Sequence, residues 1–378
     1  MVIDKSNNRF SIRIFLKSAI PLRLLILLVS VIFWQSSQAQ PSEKIVFGQI
    51  EVEPGSKTSG NLIVEANIDQ GTLIPITIIH GSIQGPVLTL IAGNHGTEYV
   101  PIITLQSLAS KIDPLSLAGT VILVHIANVP AFRGRGVYRS PVDNKNINRI
   151  YPGKSNGTLS ERIAFTITDK IIDRSDYLID LHGGEFNEDF VDFAFIYYDC
   201  PDNFICEQTR TMATALGFNY IHVSPFNLVP DSIEYTYCDL TALRRGVVAI
   251  TVELGGRGRV DNEIVGFAER GLINVMREFE MLKGEKFTNE HPIYLTDETF
   301  IRSNYDGIFY SLVHCHQSIS KGALLGFTTD YFGNRIEEYY SPISGIVVKN
   351  TVSPTINKGE SIFWLAKTVS DFLPKQTY

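Results

Sequence analysis

Val87-Leu88-Thr89-Leu90-Ile91-Ala92-Gly93-Asn94-His95-Gly96-Thr97-Glu98 is the stretch on which the fold turns. Its first six residues carry no charge and are almost all apolar, which predicts a strand buried on both faces. Gly93-Asn94 ends the run, and the pattern from Val100 to Lys111 predicts a helix. A buried strand, a tight turn and a helix make one unit of an α/β sheet. Ligands in such sheets bind beyond the carboxyl ends of the strands, and His95 and Glu98 stand there. An imidazole and a carboxylate three residues apart can converge on one ion. Such a pair alone is common by chance.

The same signature recurs along the chain. Ile74–Ile79, Thr120–Ala127, Tyr177–Leu181 and Val247–Val252 read as further buried strands, and helical patterns such as Ser160–Arg174 lie between them. The alternation predicts an α/β fold with a mixed, largely parallel central sheet flanked by helices. After residue 285 the pattern changes. From Asn304 onward, turns at Asp306-Gly307, Lys321-Gly322, Phe332-Gly333-Asn334, Ser344-Gly345 and Lys358-Gly359 punctuate short strands. This predicts a catalytic domain over 45–285 and a C-terminal all-β domain over 299–370.

The first residues ask for a separate reading. Lys5, Arg9, Arg13, Lys17 and Arg23 precede the apolar run Leu24–Trp34, and Ser37 and Ala39 fit a signal-peptidase site. That run is well short of the roughly 20 residues that span a bilayer as a helix. Residues 1–39 therefore read as a cleaved export signal, leaving a periplasmic or secreted protein with no stable membrane span. Cleavage would remove five cations and one acid, moving the formal charge from −7 to −11. So acidic a protein, with no basic tract, is not expected to bind nucleic acid. With 44% hydrophobic and 19% charged residues, disordered and coiled-coil classes are also excluded. None of the four cysteines forms a Cys-x-x-Cys pair, which argues against a thiolate metal site. Cys200 and Cys206 are spaced to close a short loop as a disulfide in an oxidising compartment, or to remain free thiols. Nothing in the sequence decides between a monomer and a homo-oligomer.

Three more segments carry chemistry. Asp180-Leu181-His182 ends a buried strand and brings His182 to the rim that holds His95 and Glu98. Two His and one Glu, with a fourth position open, form the ligand set of hydrolytic zinc, one ion per chain. Asp180 shares the strand face of His182 and is placed to orient its imidazole. Glu253, in Thr251-Val252-Glu253-Leu254-Gly255, has apolar flanks; beside a metal site it suits a general base and acid, and otherwise a buried glutamate paired with an arginine. Asn148-Arg149 lies in a polar segment, 139–153, without hydrophobic periodicity, so its residues are not expected in a core. A guanidinium beside an amide suits capture of a substrate carboxylate. His314-Cys315-His316 reads as surface, and His80, His125, His222 and His291 as structural histidines. Glu185 and Asp189–Asp192 suggest an acidic loop near the mouth of the site. No Gly-x-Ser-x-Gly is present for a serine hydrolase elbow.

GPVLTLIAGNHGTEY, RSPVDNKNINRIYPG, YLIDLHGG and TVELGG stand in the order found in the succinylglutamate desuccinylase/aspartoacylase family, within the zinc carboxypeptidase clan. The resemblance runs over about residues 45–370, because KGALLGFTTDYFGNRIEEYYSPISGIVV also resembles the family's C-terminal β-domain. It implies a zinc carboxypeptidase-like fold, zinc on His95, Glu98 and His182, Glu253 as general acid/base, and a substrate carboxylate on Asn148 and Arg149. It also implies Arg139 as the group that polarises the scissile carbonyl, with Arg133 and Arg135 as alternatives. Two features depart from the pattern: the spacing from Arg139 to Asn148 is longer than in aspartoacylase, and Gly183-Gly184 replaces the Thr-Gly often found there.

The expected function is zinc-dependent removal of an acyl group from an N-acyl amino acid or similar small carboxylate. The alternatives are an exported zinc carboxypeptidase acting on short peptides, such as cell-wall stem peptides, and a non-catalytic ligand-binding protein.

Overall fold

Four strands fix the position of everything that follows. Tyr177–His182 lies at the middle of the main sheet, parallel to Ile83–Ala92 on one side and to Val248–Glu253 on the other. Ala118–Val124 runs parallel to Ile83–Ala92 on its far side. Parallel neighbours bring their carboxyl ends to one edge, so His95, His182 and Glu253 arrive together.

A computed structural model describes residues 42–226 and 236–372. The export signal expected over 1–39 lies outside them. Among the described residues the main sheet has 13 strands, antiparallel at both ends and parallel about its centre except where Phe193–Tyr198 runs antiparallel to Val248–Glu253. Helices Tyr99–Lys111, Asn203–Ala215 and Asn262–Glu278 cover one face, and Leu159–Lys170 with Cys238–Leu243 covers the other. Local chemistry starts these helices where they are needed. Thr158 and Glu161 form a capping box ahead of Leu159, and Asp261 accepts from the Glu263 and Ile264 amides.

The fold is thus the mixed α/β sheet with flanking helices that the sequence predicts, followed by an all-β region. That region is not set apart. Ile293–Arg302 crosses the expected boundary, pairing in parallel with Tyr220–Pro225 and antiparallel with Ser361–Val369. The sheet therefore continues from the catalytic half into the C-terminal half, and the described residues form one unit. Tyr294 and Leu295 are paired on both sides, and the rest of Ile293–Arg302 on one at most.

Two further expectations are corrected. Segment 139–153 does contribute to the core: Ile147 and Tyr151 are fully buried. Tyr151 puts its ring inside because its hydroxyl finds an acceptor there, Asn94 Oδ1 at 2.9 Å. Glu185 is buried rather than part of an acidic loop at the mouth; it accepts from the Thr97 hydroxyl and, at 2.7 Å, from the Tyr138 amide. Cys200 and Cys206 form a disulfide, while Cys238 and Cys315 are buried thiols. No helix among the described residues is long and apolar enough to cross a membrane.

Candidate metal centre and its cleft

The loop that follows Ile83–Ala92 fits only because of its glycine. A Cβ on Gly96 would lie 2.3 Å from the Ala131 carbonyl oxygen. The loop can therefore pack tightly enough to turn His95 inward and to set Glu98 at the N-cap of Tyr99–Lys111. His182 arrives from the neighbouring strand. The potential ligand atoms of His95, Glu98 and His182 lie within 4.8 Å of one another, and all three residues are buried.

Their hydrogen bonds settle which nitrogens face inward. His95 Nδ1 and His182 Nδ1 approach the two oxygens of Glu98, at 2.6 and 3.0 Å. His95 Nε2–H donates to Asn146 Oδ1 at 3.0 Å, and His182 Nε2–H to Asp180 Oδ2 at 3.0 Å. Outward donors of this kind hold a ligand imidazole in one tautomer and one orientation. Asp180 is itself anchored by Asn94 Nδ2 at 2.7 Å. Burial opposes charge on Glu98, but the imidazoles of His95 and His182 outweigh it and hold the carboxyl at about 2. Burial likewise opposes a positive His182, and the carboxylates of Asp180 and Glu98 overcome it. The cluster demands positive charge, and a divalent cation bound by two imidazoles and one carboxylate would meet that demand in place of protons. The donor set fits zinc.

Asp180→Asn is expected to weaken zinc binding about 10- to 100-fold by disturbing the imidazole it orients. Competition against a chromophoric chelator measures this. Unchanged affinity would reduce Asp180 to a core residue.

Glu253 faces His182 across the parallel strand pair. Among the described residues no hydrogen bond or ion pair reaches its carboxylate, and no arginine neutralises it. Burial, offset in part by His182 and reinforced by Glu98, raises its pKa well above the usual carboxylate range. Gly183, one of the two departures from the family pattern, closes the floor between these strands: a Cβ there would meet the Leu254 carbonyl oxygen at 2.3 Å.

His95, Glu98, Asn146, His182 and Glu253 open onto one cleft of about 1130 Å³. Arg139 lines it, its guanidinium donating to the Asn144 carbonyl oxygen at 2.8 Å, whereas Arg133 and Arg135 do not. Arg149 also lines it, stacked 4.5 Å above the centre of the Tyr237 ring. Asn148 is held more tightly than a substrate anchor requires. Its Oδ1 accepts from the Cys238 amide at 2.8 Å, and its Nδ2 lies 2.9 Å from His182 Nε2. It therefore packs against His182 as well as lining the cleft. His314 and His316 are exposed and stand apart from this lining.

Sequence reasoning missed the opposite wall. Glu188, Phe190, Phe193, Phe300, Lys349 and Trp364 line the same cleft, several of them from the C-terminal β region. Tyr138 joins them, its ring edge-on to His95 at 5.7 Å. Sheet pairing across Ile293–Arg302 brings Phe300, Lys349 and Trp364 near the metal centre, and no local pattern announces it.

The catalytic-domain model of the succinylglutamate desuccinylase/aspartoacylase family matches residues 84–279. The chain belongs to this family. It is 27% identical over 347 residues to N-alpha-acetyl-L-2,4-diaminobutyric acid deacetylase of Halomonas elongata, covering 89% of this chain and 98% of that relative. Among solved structures it resembles the product-bound ectoine utilization protein EutE (DoeB) of Ruegeria pomeroyi, with a TM-score of 0.76 and 27% identity over 87% of this chain and all of that one. A succinylglutamate desuccinylase from Silicibacter sp. gives a TM-score of 0.75 and 26% identity over 88% of this chain and 100% of its own.

Proposed function

We propose that the chain is a zinc-dependent amide hydrolase that removes an acyl group from an N-acyl amino acid or a similar small carboxylate. The convergence of His95, Glu98 and His182 beside an unpartnered Glu253 carries this reading. Membership of a family whose named relatives include deacylases supports it. Bound by His95, Glu98 and His182, zinc supplies Lewis acidity toward a carbonyl oxygen and toward water.

The chain's own residues handle protons and position. Glu253 takes a proton from the attacking water on its carboxylate and returns it to the leaving nitrogen. The Arg139 guanidinium offsets the negative charge that grows on the carbonyl oxygen. Arg149 pairs with the substrate carboxylate, and Asp180 and Asn146 keep both imidazoles in register. One water is consumed, and a carboxylic acid and an amine are released. The basic-apolar-small pattern of residues 1–39 supports an exported enzyme.

A panel of N-acyl amino acids set against short peptides tests this reading. Faster release of amine from the N-acyl amino acids is expected; faster cleavage of peptides would make the protein a carboxypeptidase. Within the panel, Arg149→Ala is expected to lower kcat/KM about 10- to 100-fold, chiefly through KM, as loss of charge-assisted hydrogen bonds worth about 1.5–3 kcal/mol implies. Arg149→Lys should recover part of the loss. An unchanged KM would release Arg149 from the substrate.

A further inference from the structure

The strand row that carries the reaction centre does not stop at Glu253. Across the sheet, His182 is followed by Glu253 and Glu253 by Phe193. One row inward, Asp180 and Thr251 are followed by Phe195 and then His222. Trp364 stands edge-on to Phe193 at 5.5 Å and to Phe190 at 6.0 Å, and Phe300 leans on Trp364 at 5.5 Å. Phe190, Phe193, Phe195, Phe300 and Trp364 all line the cleft. The sheet therefore leads from the metal ligands directly into a wall of aromatic rings.

Phe193 is buried in the core, but the other four rings are not sealed into it. Phe300 is 46% exposed, and Phe190, Phe195 and Trp364 are only partly buried. The ring stacked behind Phe195 is uncharged. His222 stacks on Phe195 at 4.9 Å, burial holds its pKa at about 3, and neither of its nitrogens has a hydrogen-bond partner among the described residues. Glu298 Oε2, 3.7 Å from His222 Nε2, is beyond hydrogen-bonding reach of that neutral ring. The buried Lys349 is neutralised by Glu188, and Arg302 donates to the Gly359 carbonyl oxygen. The cleft, at about 1130 Å³, is also larger than the roughly 300–1,000 Å³ of an ordinary small-molecule pocket. An acetylated small amino acid would leave the aromatic wall wet.

We propose that this wall is a substrate subsite for one flat apolar group, of phenyl to indole size, on the molecule whose amide is cleaved. The inference rests on the amide hydrolase reading above. The group is carried either by the acyl moiety or by the amino-acid side chain, and the wall offers the same chemistry to both.

The test uses the full zinc-loaded chain and three substrates: N-acetylalanine, N-acetylphenylalanine and N-phenylacetylalanine. At least one phenyl-bearing substrate should exceed N-acetylalanine in kcat/KM by about 10- to 100-fold, the range expected for burying a phenyl group. Which one exceeds it identifies the moiety. Phe300→Ala should shrink that ratio several-fold, with the melting temperature checked to exclude misfolding. Binding is read separately in Glu253→Gln, where phenyl ligands should quench the emission of Trp364; the only other tryptophan is Trp34, and Trp364→Phe should abolish the response. No advantage for either phenyl substrate, or a ratio indifferent to Phe300→Ala, overturns the subsite. Quenching at Trp364 with no turnover of any of the three would uphold the subsite and overturn the hydrolase reading.

Discussion

Glu253→Gln is expected to lower kcat by about 10²- to 10⁴-fold, the usual contribution of a positioned general acid and base. Zinc content and melting temperature should stay near those of the unaltered protein. The amide keeps the shape of the carboxylate but cannot take the proton from water. Burial raises the Glu253 pKa, His182 offsets it only in part, and no ion pair reaches the carboxylate among the described residues, so losing its ionisation breaks no salt bridge. Single-turnover kinetics with parallel metal analysis makes the measurement. A variant with near-normal turnover removes Glu253 from the chemistry. One that loses zinc makes Glu253 a support of the metal centre instead.

His182→Ala should have the second large effect, and of a different kind: metal and turnover are lost together. His182 closes the cluster from the neighbouring strand, its Nδ1 3.0 Å from Glu98 and its Nε2 fixed by Asp180. Without it only His95 and Glu98 remain, one turn of loop that cannot enclose an ion. The folded state also loses the stabilisation that a tight ligand confers, about 2.7 kcal/mol at a free concentration 100 times Kd. Added zinc should therefore raise the melting temperature of the unaltered chain and leave that of the variant where it was. An equal shift in both would mean that the ion binds elsewhere.

Much of the site was legible because strand ends are legible. VLTLIA, YLIDL and VVAITV are mostly apolar runs, and parallel pairing carries the polar residues after them to one edge. His95, Glu98, His182 and Glu253 follow from that pattern and one topological rule. The family resemblance added Arg139, which the cleft accommodates while excluding Arg133 and Arg135 from its lining. What could not be read depends on long-range pairing. The polar composition of 139–153 gave no sign that Tyr151 reaches the core, because its hydroxyl donates to Asn94, far away in sequence. Glu185 looked like surface for the same reason, its partners being Thr97 and the Tyr138 amide.

The C-terminal half shows the same limit on a larger scale. Its turns and short strands were plain in the sequence, and its place in the molecule was not. Ile293–Arg302 joins two sheets' worth of strands into one, and so brings Phe300, Lys349 and Trp364 to the cleft. Residues that read as an appendage thus complete the wall that a substrate would touch.

The most direct measurement is release of free amine from N-acyl amino acids by the purified full chain, before chelation, after chelation and after zinc is returned. Release that stops with the chelator and recovers with about one equivalent of zinc per chain is the predicted result. Release that continues at full rate without metal, or no release from any N-acyl amino acid by the zinc-loaded protein, would contradict it.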